Sequence, residues 1–502
     1  MEIVFLSIVF RDYINIFELV INEPSRLKQI LQTVVMESTM KHQYNWFFLV
    51  RICLVAAMGG LLFGYDWVVI GGAKPFYESY FRIGNDASMQ GWAMSCALVG
   101  CIIGVVMSGG LSDKYGRKKL LLLSAAIFII ASIGTGAANT LNLFVFFRIF
   151  GGIGIGLASN LSPMYIAEIA PAKVRGSFVS INQITIVVGI LAAQIINLLI
   201  AEPVPINFST SEMINSWNVQ TGWRMMFYVC AIPAGIFFVL MWLVPESPRW
   251  LAKKSQNNHK VKAILNKIGG HSFEEQEMRA MSLDQTKDSN FDFKLAFKGK
   301  TSKVLIVGIV LAVFQQWCGI NVIFNYAQEI FSQAGYGVSD ILFNIVLTGV
   351  VNVVFSLVGM FTVDRLGRKP LMLIGAGGLA CIYGCIGTLY YFQIEGWPLL
   401  VLVILGIACF AMTLAPVTWV LLSEIFPTRI RAVAMSISTF ALWIACFILT
   451  YTFPLLNKSL GASGTFWLYG VLCVLGGVFI YINLSETKGQ SLEQIEKRLN
   501  DL

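Results

Sequence analysis

Charge is what this chain has least of. Asp, Glu, Lys and Arg make up 13% of it, against 56% hydrophobic residues, where a soluble domain carries about 25% charge. Histidine is nearly missing: His42, His259 and His271 are the three, all outside the apolar runs. That argues against a histidine-based catalytic or metal centre, and no nucleophile–base set or metal-ligand spacing takes its place. The ten cysteines fall inside apolar segments and form no Cys-x-x-Cys pair, so they read as small packing residues rather than disulfides or metal ligands. No metal, no cofactor and no enzyme activity is expected. The formal net charge of +8 does not imply nucleic acid, because the cations gather in short loops.

What the chain does have is long apolar runs. Twelve begin at Trp46: roughly 46–73, 88–112, 118–138, 141–165, 176–201, 223–244, 304–333, 339–363, 370–393, 397–423, 431–454 and 464–484. Each is long enough to cross about 30 Å of hydrocarbon as a helix. The expected fold class is therefore an all-α polytopic membrane protein of twelve transmembrane helices. Loop cations follow spans 2, 4, 6, 8 and 10 and the last span, while the opposite loops carry few, such as Lys74, Arg82 and Lys458. The positive-inside rule then places both termini in the cytoplasm.

The expected divisions are an N-terminal extension 1–45, a six-helix half 46–244, a cytoplasmic linker 245–303, a second half 304–485 and a tail 486–502. In the extension, Ile3–Phe10 is too short to span and makes a poor signal peptide, since no basic stretch precedes it. An over-long start, with synthesis beginning at Met36 or Met40, is one explanation; a surface-lying amphipathic helix is the other. The linker reads as short amphipathic helices, Pro248–Ser255 and Asn258–Ile268, with Gly269-Gly270 as a stop.

One carboxylate stands out. Asp66 lies deep in the first span, within a stretch that also holds Gly59, Gly60, Gly64, Gly71 and Gly72. Placing Asp at the centre of a membrane helix costs about 2.5–3.5 kcal/mol. Its natural partner is Arg148, the strongly basic residue well inside span 4. The pair either titrates with a transport cycle, which a carboxylate can do and an amide cannot, or only locks helices together.

The halves repeat one another. Asp113-Lys114-Tyr115-Gly116-Arg117-Lys118 follows span 2 and Asp364-Arg365-Leu366-Gly367-Arg368-Lys369 follows span 8. Glu168 to Arg175 follows span 4 as Glu424 to Arg431 follows span 10, and Glu246 and Glu486 end spans 6 and 12. Duplicated six-helix halves frame a central site near the bilayer midplane.

With Pro245-Glu246-Ser247-Pro248-Arg249-Trp250, Gln315-Gln316 before Gly319-Ile320-Asn321, and Ser485-Glu486-Thr487-Lys488-Gly489, these repeats resemble the sugar porter family of the major facilitator superfamily. Within it, the likeness is to bacterial D-xylose:proton symporters. It runs from about Asn45 to Glu496. It implies two pseudo-symmetric halves, a bacterial inner membrane, a monomer, and import of a neutral monosaccharide with a proton by alternating access.

Primary amides donate and accept, so each can serve two neighbouring hydroxyls of a sugar. Gln183 in span 5, Gln315, Gln316 and Asn321 in span 7 and Asn352 in span 8 are the candidates, with Asn325 beside them and a break permitted at Gly319. Interhelical amide bonding is the alternative. No Lys or Arg stands among the second half's amides, which favours a neutral polyhydroxylated substrate over a phosphate ester or carboxylate. Phe63, Tyr326, Phe410, Trp419 and Trp443 could stack on a pyranose ring.

The resemblance further implies a cytoplasmic gate of Asp113, Arg117, Glu168, Arg175, Glu246, Arg249, Asp364, Arg368, Glu424, Arg431 and Glu486. These charges would pair across helix ends when the halves close; alternatively they set topology and local turns. Relative to the family pattern, Leu442, Ile190 and Leu414, the last near a span-10 break at Pro416, each remove a polar or aromatic contact. That leaves glucose, galactose, arabinose or a polyol open beside xylose. Asp66 favours symport over passive uniport, although Cys230 stands where some symporters have a second acid. The tail after Glu486 is too short for a sugar-sensing receptor. The Asn207-Phe208-Ser209 and Asn457-Lys458-Ser459 sequons read as chance matches.

Overall fold

The computed structural model describes residues 44–204, 210–255, 258–285, 297, 300–333, 335–427 and 430–488. The expected extension up to residue 43, the end of the linker, the Asn207 sequon, the tail beyond 488 and the side chain of Asp364 lie outside the described residues. Nearly everything described is helix, and no strand occurs among the described residues.

The first six long helices are α1 (Trp46–Phe81), α2 (Ala87–Tyr115), α3 (Arg117–Ala137), α4 (Leu141–Ile169), α5 (Arg175–Ile200) and α6 (Trp223–Trp242). The next are α7 (Lys300–Trp317, continued by Ile320–Asn325 and Ala327–Ser332), α8 (Val338–Leu366), α9 (Arg368–Tyr391) and α10 (Trp397–Met412, continued by Leu414–Ile425). The final helix, Arg431–Asn483, turns at Gly461, where φ is 69°, which divides it into α11 (431–460) and α12 (462–483). The twelve expected spans are all present. Large apolar side chains such as Val106, Phe146 and Phe361 stand exposed on them, as lipid-facing residues do.

Local chemistry sets the helix ends. Asp86 opens α2 by accepting from the N–H groups of Ser88 and Met89 at 3.0 and 3.1 Å, and Thr140 opens α4 by accepting from Leu143 N–H. Gly116 between α2 and α3 and Gly367 between α8 and α9 share positive φ values of 94° and 93°. Each half thus turns the same tight corner on the glycine of its repeated motif.

Three elements differ from expectation. α1 does not stop at 73 but runs through Pro75 to Phe81, so Lys74 belongs to a helix and is only 3% exposed, not a loop cation. α10 breaks at Thr413 rather than at Pro416, because a proline clashes with the carbonyl four residues before it and lacks the N–H to continue the ladder. Gly269-Gly270 ends the helix from Asn258 as expected, with Gly270 at φ 77°, but a further helix, outside the two expected, follows to Gln285. The expected break at Gly319 is present, with φ 85°.

The described residues fall into two compact units, those within 1–50 and 251–287, and those within 51–250 and 288–502. In the smaller, Tyr44 meets Phe273 edge to face at 5.7 Å and Asn45 N–H donates to Ile268 C=O at 2.8 Å. In the larger, α1 lies against α5 on its glycines: a Cβ on Gly64 would sit 1.9 Å from the Ile186 carbonyl oxygen, an approach only glycine allows.

Candidate functional site

The site grows from α1. Asp66 and Arg148 are both buried, at 7% and 5% exposure, and their carboxylate Oδ1 and guanidinium Nη1 are 2.6 Å apart. The guanidinium carbon also lies 5.6 Å from the centre of the Phe227 ring. Around the pair is a small cavity lined by Phe128, Ser132 and Thr135 of α3, Phe147 and Gly151 of α4, and Phe227 of α6. The pair is therefore enclosed wholly by first-half helices, and a charge pair in such surroundings is strongly interdependent.

Around the next turn of α1 the surroundings change. Phe63 and Trp67 stack edge-on at 5.9 Å, and both meet Trp443 of α11, at 5.7 and 6.2 Å. This ring group crosses from the first half to the second. One turn beyond Trp443, the Cys446 sulfur accepts from Asn321 Nδ2 at 3.7 Å. The same amide donates to Gln316 Oε1, and Gln316 Nε2 donates to Gln315 Oε1 at 2.6 Å. The left-handed break at Gly319 brings Asn321 back onto Gln316, which a straight helix would not do. The ring group thus joins α1 to α11, and the amide chain meets α11 one turn further on.

The other expected ligands differ in burial. Gln183 on α5 is half-buried and Asn352 on α8 is 5% exposed. Phe410 is buried on the first limb of α10, whereas Trp419 stands 38% exposed on the second. Tyr326 leaves the set: it is fully buried, its ring lies 4.5 Å from Phe453, and its hydroxyl donates to Thr450 C=O at 2.7 Å. Its ring packs against Phe453, with the Lys74 ammonium 5.5 Å from its centre, and is not held open as a stacking face. Sequence reasoning missed Trp67, which the four-residue spacing from Phe63 could have signalled. Of a polar stripe on α8, Asn344, Thr348, Asn352 and Ser356, all buried at a four-residue repeat, it named Asn352 alone. Gln194 of α5 was missed as well: it is 1% exposed, with both amide atoms unpartnered.

At the end of the bundle where α2 meets α3, two charged collars stand in matching positions. In the first half, Arg117 pairs with Glu168 at 2.9 Å and with Asp113 at 3.3 Å. Glu246 accepts from the backbone N–H groups of Arg117, Lys118 and Ser247 at 3.0, 3.1 and 2.9 Å, and Ser247 Oγ donates to Glu168. In the second half, Arg368 pairs with Glu424 at 2.9 Å. Glu486 accepts from the N–H groups of Arg368, Lys369, Thr487 and Lys488 at 2.8–3.0 Å, and Thr487 Oγ1 donates to Glu424 at 2.5 Å.

Partial burial pushes the Glu486 carboxyl up, but these N–H groups outweigh it and hold the group below its ordinary range. Pairing of Glu168 with Arg175 and of Glu424 with Arg431 is the expectation for closed halves. Arg117 and Arg368 take the two glutamates, and Arg431 Nε donates to Phe426 C=O at 3.1 Å. Arg249 sits half-buried at the start of Pro248–Ser255.

Comparison with known proteins gives a consistent placement. A family model described as sugar (and other) transporter matches residues 52–499. The D-xylose-proton symporter of Escherichia coli K12 is 38% identical over 489 residues, covering 91% of this chain and 97% of its own. The arabinose-proton symporter of Bacillus subtilis is 37% identical, covering 90% and 95%. Among solved structures, the inward-open conformation of the xylose transporter XylE of E. coli aligns with a TM-score of 0.79 at 36% identity, over 90% of this chain and 99% of that one. On this evidence, the chain belongs to the sugar transporter family, whose members are membrane transporters and not enzymes.

Proposed function

We propose that the protein imports a neutral pentose or hexose, xylose-like, together with a proton, by alternating access across a bacterial inner membrane, as a monomer with both termini cytoplasmic. The observation that carries this reading is the buried Asp66–Arg148 pair on the same helix as Phe63 and Trp67, whose rings meet Trp443 one turn of α11 from the Cys446 that bonds the Gln315–Gln316–Asn321 amides. A carboxylate held by one guanidinium can exchange that partner for a proton when the helices shift, and α1 carries it directly beside rings that face the amides. Lys and Arg are missing from the amide chain itself, which fits an uncharged polyol. Gln183, Asn352, Phe410 and Trp419 complete the proposed sugar site.

The collars are the proposed cytoplasmic gate. Each is tied within its own half here, which is the arrangement of a face that is open, and an inward-open relative is among the structures that align with this chain. Asp66 stays the lone proton carrier, since Cys230 supplies no second carboxylate.

The test is uptake in energised vesicles with a panel of pentoses and hexoses, with and without an uncoupler. Accumulation of one sugar above its outside concentration, abolished by the uncoupler, is the expected result. Equilibration that ignores the uncoupler would refute coupling and leave a passive uniporter. Lack of transport of every sugar would refute the reading as a whole.

A further inference from the structure

Lys74 is the charge that the transport reading leaves unused. It sits in the last third of α1, at the end of the bundle opposite the collars, 3% exposed. Its ammonium is shared. Glu78, one turn along α1, accepts at 3.2 Å, and Glu329 on the Ala327–Ser332 limb of α7 accepts at 3.1 Å. The second contact joins the first half to the second. Around it, Asn457 of α11 donates to the other Glu329 oxygen at 2.8 Å, and the Tyr326 ring centre lies 5.5 Å from the ammonium. The Asn457 amide is thus turned inward on a carboxylate.

Burial of a simple ion pair makes a poor moving part, because separation strands two charges in a low dielectric. Here each partner has a second companion within its own half. When Lys74 leaves Glu329 it keeps Glu78 on the same helix, and Glu329 keeps Asn457. We infer that the Lys74–Glu329 pair is a reversible lock between the halves, closed while the outer face is shut and opened, without a stranded charge, when the central site turns outward. The lock rests on the alternating-access reading above. It also explains why α1 runs on past Pro75: the helix has to carry both Lys74 and Glu78 to that depth, four residues apart and on one face.

Cys446 reports the outcome, because it lies beside the amide chain, bonded to Asn321 and 1% exposed. Spheroplasts expressing the full chain are treated with a membrane-impermeant maleimide, and the labelled fraction of the Cys446 peptide is measured by mass spectrometry. Glu329→Gln is expected to raise outside labelling of Cys446 severalfold. Lys74→Gln should do the same. Sugar binding by tryptophan fluorescence, retained in at least one single variant, shows that the fold survives. Unchanged labelling in that variant would overturn the lock. Lack of uptake of every sugar by the unsubstituted chain would instead overturn the transport reading, so the two failures are distinguishable.

Discussion

The two halves are alike at their edges and unlike at their centres. At the edge, Arg117, Glu168, Glu246 and Ser247 are matched by Arg368, Glu424, Glu486 and Thr487, contact for contact. At the centre, the first half encloses a carboxylate and a guanidinium, while the second presents a chain of neutral amides. A gate has to act on both halves and therefore stays symmetric. Charge handling and hydroxyl recognition need different donor chemistry, so the cores of a duplicated fold are free to diverge. The division of labour proposed above follows: proton in the first half, sugar chiefly in the second.

That comparison breaks most completely at Asp66. Asp66→Asn should abolish uphill accumulation while leaving sugar counterflow in place, measured in the same vesicles; retained accumulation would remove the first half's special role. Arg148→Met comes next. It leaves a buried carboxylate without its cation, a loss of about 3–5 kcal/mol, read as a marked drop in thermal stability of the purified protein. A mild drop would mean that the pair contributes little to holding α1 against α4.

Gln316→Ala should act on the other centre. It removes one member of the hydrogen-bonded amide chain and should weaken sugar binding by about 1–3 kcal/mol, or roughly 5- to 100-fold, with the proton requirement of any remaining uptake unchanged. Unaltered affinity in equilibrium binding would move the sugar site elsewhere. The edges are sharpened by a matched pair of changes. Glu246→Gln and Glu486→Gln should each lower stability by a similar small amount, since each carboxylate serves the same N–H groups of the same turn. A large inequality between them would show that the collars are not equivalent.

The smallest effect is in pH. The folded Glu486 carboxyl is held low, so its contribution is complete above the ordinary carboxylate value of about 4.3. It is lost as pH falls through the depressed folded value. Melting curves of the unsubstituted protein and of Glu486→Gln should therefore converge under acid conditions; a constant offset down to low pH would contradict the assignment.

Much of this was legible in the sequence for reasons that can be named. Twelve apolar runs can do little but span a bilayer, and paired Asp-x-x-Gly-Arg-Lys motifs mark a duplication because the glycine must turn a left-handed corner at Gly116 and Gly367. Asp66 and Arg148 could be matched in advance, since two opposite charges buried in one half have few other solutions. Directions of side chains were harder. Whether Glu168 takes Arg117 or Arg175 depends on rotamers and helix crossing, not on spacing. Lys74 looked like a loop residue because Lys-Pro ordinarily marks an end, and its partner Glu329 lies 255 residues away. Tyr326 looked like a stacking surface until its hydroxyl was found on Thr450 C=O. Trp67 and the α8 stripe carried a periodic signal that was overshadowed by the amides in span 7.

The collars also impose an order of assembly. The acceptor for the Arg117 and Lys118 N–H groups is Glu246, 129 residues downstream, and that for Arg368 is Glu486, 118 residues downstream. In both halves the carboxylate arrives after the last helix of its own six has been synthesised. During translation the corner at Gly116 must wait for Glu246, and the corner at Gly367 for Glu486, so each half is fastened by its final residues. A ribosome stalled before Glu486 would leave a chain with one finished half and one unfastened, which membrane quality control could distinguish from the completed carrier.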